Sequence, residues 1–94
     1  MITYTAAYIF EDDTCIGEVL DFPGTVSCGK TLDETRKNLS DALLDMAETN
    51  LMLGDPLPKP QTTVKDGADI IEPIYLVLQA SHQLDITPHT SVPT

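Results

Sequence analysis

Tryptophan is absent, and three Tyr and two Phe are the only aromatic residues among 94. The core must therefore be aliphatic, and a domain this small gains from oligomerisation. Basic residues are also scarce, with five Lys and Arg against fifteen Asp and Glu, a formal net charge of −10 at pH 7. That balance opposes contact with a phosphate backbone, so direct DNA binding is not expected. An anionic surface attracts a basic partner and speeds the encounter, although acidity also simply keeps a small protein soluble. Cys15 and Cys28 are the only cysteines, and His82 and His89 lie far downstream. A zinc site needs closely spaced Cys or His pairs, and neither kind is present. The cysteines read as ordinary buried thiols, without a disulfide in a reducing compartment. No run approaches the roughly 20 apolar residues of a membrane span, and no basic-then-apolar leader opens the chain. A membrane role is therefore not expected, and the cytoplasm is the expected location.

What is present is an ordinary globular composition, 41% hydrophobic, in a length suited to one domain. Ile2 to Phe10 reads as a strand, followed by the polar turn Glu11-Asp12-Asp13-Thr14. Cys15 to Leu20 and Thr25 to Cys28 read as two further strands around the turn Asp21-Phe22-Pro23-Gly24. Two consecutive hairpins make a β-meander. With both loops four residues long, Phe10 faces Cys15, Tyr8 faces Gly17, Ala6 faces Val19, and Val19 faces Val26. Directly opposed residues share a face. One face then collects Ile2, Tyr4, Ala6, Tyr8, Phe10, Cys15, Val19, Val26 and Cys28, and the other carries Thr3, Thr5, Ala7, Glu18, Thr25 and Ser27, with Ile9, Ile16 and Leu20 among them. An aromatic ring is expected to lie over Gly17, which has no side chain of its own.

Thr31 and Glu34 predict a helix start: the Thr31 hydroxyl can accept from the Glu34 amide, and the Glu34 carboxylate can return to the Thr31 amide. The helix should run to about Leu53, where Gly54 and Pro56 stop it. At helical spacing Leu32, Leu39, Ala42, Leu43, Met46, Ala47 and Leu53 form one apolar stripe, which should pack on the apolar face of the sheet. Leu44, Leu51 and Met52 lie off that stripe. They mark either a partner or self-association surface, or a second core contact with a later strand.

Leu57-Pro58-Lys59-Pro60 is an extended connector, and Gln61 to Asp69 is a polar loop. Ile70 to Gln79 predicts a fourth strand, with Ile74 to Leu78 apolar on both alternating faces. Such a strand is either central in its sheet or paired with another subunit. Ile74, Leu76 and Leu78 therefore join Leu44, Leu51 and Met52 as candidate partner or oligomer residues. The predicted fold is α+β: a three-stranded antiparallel meander, one long helix on one face, and a later C-terminal strand. Residues 1–80 form a single domain and 81–94 a flexible tail.

Catalytic chemistry is not in evidence. Strand one holds no acid before Glu11, and Glu18 is the only acid inside a predicted strand, which is too few for a two-metal hydrolase. There is no Gly-rich phosphate loop and no nucleophile in a recognisable setting. Glu11, Asp12 and Asp13 read as solvated turn residues. No enzyme activity, cofactor or metal is expected.

The order of elements and several residues resemble the N-terminal domain of HicB antitoxins. The matching features are Tyr4 in the first strand, the acidic turn, Asp21-Phe22-Pro23-Gly24, then Gly29, Thr31-Leu32 and Glu34, and Gly54 followed by Pro56-Leu57-Pro58-Lys59-Pro60. Departures fall at Leu20, Thr25, Lys30 and Thr35, where relatives commonly carry proline, cysteine, a polar or acidic residue, and alanine. The stretch after Gln79 is too short for the DNA-binding segment that full antitoxins carry. The resemblance implies a partial ribonuclease H-like fold, dimers or higher oligomers, and a small basic RNA-cleaving toxin as partner. Two functions follow from it: a non-catalytic module masking that toxin, or an orphan homo-oligomeric domain without a surviving partner.

Overall fold

The computed structural model describes residues 1–61 and 64–78. In chain order these form β1 (Ile2–Glu11), β2 (Thr14–Val19), β3 (Val26–Gly29), α1 (Leu32–Leu53) and β4 (Ile70–Leu76). The strands make one antiparallel sheet in the order β3-β2-β1-β4, with α1 packed on one face. The expected α+β fold is the observed one. The tail from 81 onward and the strand's expected end at Gln79 lie outside the described residues.

The β1–β2 register is the expected one, with Phe10 opposite Cys15, Tyr8 opposite Gly17 and Ala6 opposite Val19. The turn is tighter than four residues, because Glu11 and Thr14 also pair. Asp12 takes φ 52°, in the left-handed region that Asp tolerates better than most side chains. As expected, a ring covers Gly17. A Cβ built there would lie 2.9 Å from two ring carbons of Tyr8.

The β2–β3 register differs by one residue from the expected one: Glu18 faces Val26, Gly17 faces Ser27 and Ile16 faces Cys28. A one-residue slip sends every side chain to the other face, so Val26 and Cys28 point outward and are exposed. Cys15 is the buried thiol; Cys28 is not. The cause is the preceding loop. It is no simple polar turn, because Asp21, Phe22 and Thr25 are 7%, 1% and 1% exposed. Phe22 meets Tyr4 edge to face, ring centroids 5.4 Å apart. The Asp21 carboxylate accepts the Thr5 amide at 2.8 Å and the Gln61 amide at 3.0 Å. Drawing these residues inward lengthens the connection and shifts β3.

The helix starts and stops where its caps predict. Thr31 accepts the Glu34 amide at 3.1 Å, and Gly54 closes the other end at φ 76°, its amide reaching the Leu51 carbonyl. The reciprocal bond differs: the Glu34 carboxylate accepts the Lys30 amide at 2.6 Å rather than that of Thr31. Leu39, Leu43 and Ala47 are fully buried, with Leu32 and Met46 packed beside them. Each buried leucine contributes about 1.5–3 kcal/mol through apolar area removed from water. Leu53 departs from expectation and is exposed, because the last helical turn runs past the packed core. Phe10 is half-exposed for a similar reason at the far end of β1. Thr35 falls on the same stripe, three residues after Leu32 and four before Leu39, and is fully buried, its hydroxyl within bonding distance of the carbonyls of Cys15 (3.1 Å) and Thr31 (2.8 Å).

Strand β4 runs along β1, with Tyr4 opposite Ile74 and Thr5 opposite Pro73. The Thr5 carbonyl accepts from Leu20, so the Thr5 peptide groups point toward β2. In an antiparallel pair the residue opposite then points away from β1. Pro73 thus occupies the outer edge of β4, where its missing N–H leaves no ladder bond broken. Arg36 fastens this strand to the helix through two bonds to Glu72, at 2.9 and 2.8 Å.

Candidate interaction surface

Among the described residues the helix covers one face of the sheet and leaves the other, the bare face, open apart from the connector that carries Lys65. On the bare face, registration sets Val26, Glu18, Ala7 and Ile71 in one row across the four strands, and Cys28, Ile16 and Ile9 in the next. Ala7 is 3% exposed even though no helix lies above it. It forms the floor of a shallow cavity of about 240 Å³, walled by Ile9, Ile16 and Val26 and rimmed by Glu18 and Lys65. Lys65 reaches down from the loop before β4 and pairs with Glu18, which neutralises the acid at the cavity rim. Farther along β4, Ile71, Tyr75 and Val77 are substantially exposed on the same side. Beyond Ile9 the face ends in Glu11, Asp12 and Asp13, all exposed and without an ion pair among the described residues.

A second cavity of about 430 Å³ opens between β1, β4 and Pro60-Gln61. Its one buried acid is Asp21, both of whose oxygens are occupied by backbone amides. This carboxylate clips the connector to the sheet and offers nothing to a substrate. The two buried tyrosines are likewise structural. Burial pushes Tyr8 up to about 12, with Glu72 adding and Arg36 opposing. Burial also raises Tyr4, with help from Asp21, and its hydroxyl donates to the Pro58 carbonyl at 2.7 Å. Among the described residues no three His, Cys, Asp or Glu side chains come together to hold a metal ion. No described helix is long and apolar enough to cross a membrane.

The six residues anticipated as a partner or oligomer surface are not gathered on one exposed surface of the single chain. Ile74 and Leu76 are 6% and 2% exposed and belong to the core, because β4 turns them toward the helix beside Tyr4 and Ile2. Leu44 and Leu78 are half-buried and pack against the same cluster, which is the core contact that stood as the alternative for Leu44. Only Leu51 and Met52 are exposed, in the last helical turns and on the opposite side from the bare sheet face. The outward residues of β4 and Val26 were not anticipated. Alternation in Ile70 to Leu78 supplies two apolar sets, and only the β1–β4 register tells which one faces water.

Comparison with known proteins gives a consistent picture. The family described as UPF0150-like matches residues 4–58. The crystal structure of the N-terminal domain of the Burkholderia pseudomallei antitoxin HicB superposes with a TM-score of 0.71 at 26% identity, covering 82% of this chain and 100% of that one. The Burkholderia pseudomallei antitoxin HicB itself gives 0.70 at 26% identity, covering 85% of this chain and 65% of its own. A chain of the HicA3 and HicB3 toxin-antitoxin complex shares the fold, with a TM-score of 0.65 at 21% identity, covering 79% of this chain and 96% of that one. No curated protein matches the sequence.

Proposed function

This chain belongs to the UPF0150-like family, and from that premise we propose that it is a non-catalytic, antitoxin-type binding domain that masks a small basic RNA-cleaving toxin. The observation that carries the reading is the fit to the HicB N-terminal domain, whose whole length is matched at 26% identity. The charge of −10 supports it, because a cationic RNA-binding protein is attracted to such a surface at long range. The same charge disfavours direct contact with DNA. Masking is binding work rather than chemistry, and the buried acid Asp21 is held by backbone amides instead of facing a cleft. An RNA-cleaving partner places the pair in the cytoplasm. Assembly into homo-oligomers is compatible with masking, provided it uses surfaces other than the core residues Ile74 and Leu76.

The test is co-expression with the small basic protein encoded beside this one, followed by size-exclusion with light scattering. A stoichiometric hetero-complex and relief of growth arrest are the expected results. A homo-oligomer that elutes apart from an intact, toxic partner would replace this reading with that of an orphan domain.

A further inference from the structure

We infer that the basic partner docks on the bare sheet face, seating an apolar side chain in the cavity over Ala7 and cationic groups against Glu11, Asp12 and Asp13. This deepens the masking reading and rests on it.

Three surfaces compete, and the bare face alone combines shape, apolarity and charge. Along its exposed side the helix carries acids, but Lys37 already meets Asp41 at 3.6 Å and the helix lines neither of the two cavities described. Leu51, Met52 and Leu53 are exposed at the helix end, yet they too line neither cavity. The bare face has a concave apolar centre with a floor that is 3% exposed. Burying apolar walls there drives association at any salt concentration, and the acidic end adds orientation and speed. Lys65, the one base at the rim, is neutralised by Glu18 and does not repel a cation.

The occupant is a cationic protein and not a second copy of this chain. Two copies meeting at this face would each bring a net charge of −10 and set their acidic turns on a shared interface. Pairing through the free edge of β4 would meet Pro73, which has no donor to offer. The apolar cavity and the unpaired acids ask for an apolar anchor flanked by Lys or Arg.

The experiment titrates the basic partner obtained by co-expression against single variants, using calorimetry, with circular dichroism to confirm folding. Val26→Lys alters a cavity wall that is 56% exposed and so leaves the core intact. Glu11→Lys with Asp13→Lys reverses the acidic end, and Met52→Lys makes the same single-charge change as Val26→Lys on the opposite side. The expected result is a Kd raised about ten-fold or more by each sheet-face variant, and by less than about two-fold for Met52→Lys. A complex that tolerates the sheet-face changes, or that Met52→Lys disrupts instead, overturns the location while leaving the masking function standing. A folded protein that binds no basic partner in any form overturns both. A calorimetric signal of this chain binding itself, abolished by Val26→Lys, would assign the face to a second copy and overturn the inference.

Discussion

Gly17→Ala tests a close approach of side chains to the sheet backbone. A Cβ at this position would stand 2.9 Å from Cδ1 and Cε1 of Tyr8 and 3.1 Å from Cγ2 of Thr35. Carbon contacts are comfortable at about 3.5–4.0 Å, so each of the three overlaps by several tenths of an ångström. The Tyr8 ring cannot easily yield, being 1% exposed and wedged between the strand and the helix. Overpacking of this kind costs about 1–3 kcal/mol. Alanine recovers about 0.5–1 kcal/mol by restricting the unfolded chain. The net expectation is a loss of about 1–2 kcal/mol, which lowers Tm by roughly 5–15 °C in a domain of this size. Urea unfolding followed by circular dichroism measures it. The same substitution in a Tyr8→Leu background should cost clearly less, since the ring overlaps are gone and only the Thr35 contact at 3.1 Å opposes the entropy gain. A Gly17→Ala protein as stable as wild type, or an equal loss in both backgrounds, would refute the steric argument.

Thr25→Val should hold or raise stability, by up to about 1 kcal/mol. The Thr25 hydroxyl is buried without a hydrogen-bond partner among the described residues, and valine keeps its shape while removing the desolvated oxygen. Leu43→Ala should cost about 2–5 kcal/mol, as for any fully buried leucine, whereas Leu51→Asp, at 42% exposed, should change the urea midpoint little. Alkaline stability should fall from about pH 10 through about pH 12. Burial holds the folded Tyr8 phenol neutral up to about 12, while the unfolded phenol ionises near its ordinary value of 10.0. The unfolded state therefore loses its proton first and gains ground as pH rises. Tyr8→Phe should flatten this part of the stability-against-pH curve, and an unchanged slope would contradict it.

The elements that local chemistry specifies were legible in the sequence. Thr31, Glu34 and Gly54 mark the helix, and the observed Leu32–Leu53 follows from them. The β1–β2 register follows from the alternation of Tyr4, Ala6 and Tyr8 against Val19, Gly17 and Cys15. What stayed hidden depends on tertiary partners. Asp21-Phe22-Pro23-Gly24 carries every sign of a solvated turn, and nothing local announces that Asp21 is held by the amides of Thr5 and Gln61, sixteen and forty residues away. The slip of β3, the exposure of Cys28 and the outward turn of Val26 all descend from that one long-range clip. The face of β4 was hidden for a related reason: with apolar residues at both alternating sets, its own sequence is indifferent. Pairing Ile74 with Tyr4 decides it, and moves two expected surface residues into the core.

The two edges of the sheet favour the open face, over an added strand, as the proposed route to a partner. At one edge β3 has only four residues, too few to template a stable pairing. At the other, Pro73 sits at the middle of β4 with its ring nitrogen directed away from β1. A strand laid against that edge would find a missing donor at its centre, and any register that avoids Pro73 shortens the ladder to a few bonds. Side chains on the bare face suffer no such interruption: Val26, Ile16 and Ile9 wall one depression across three strands, and Ile71 continues the row onto β4. Edge pairing recognises backbone and is indifferent to sequence, whereas a face recognises side-chain shape and charge. The masking proposed above, which selects one basic protein among many cationic ones, would be served by the second kind of surface, and here the first kind is blunted at both ends.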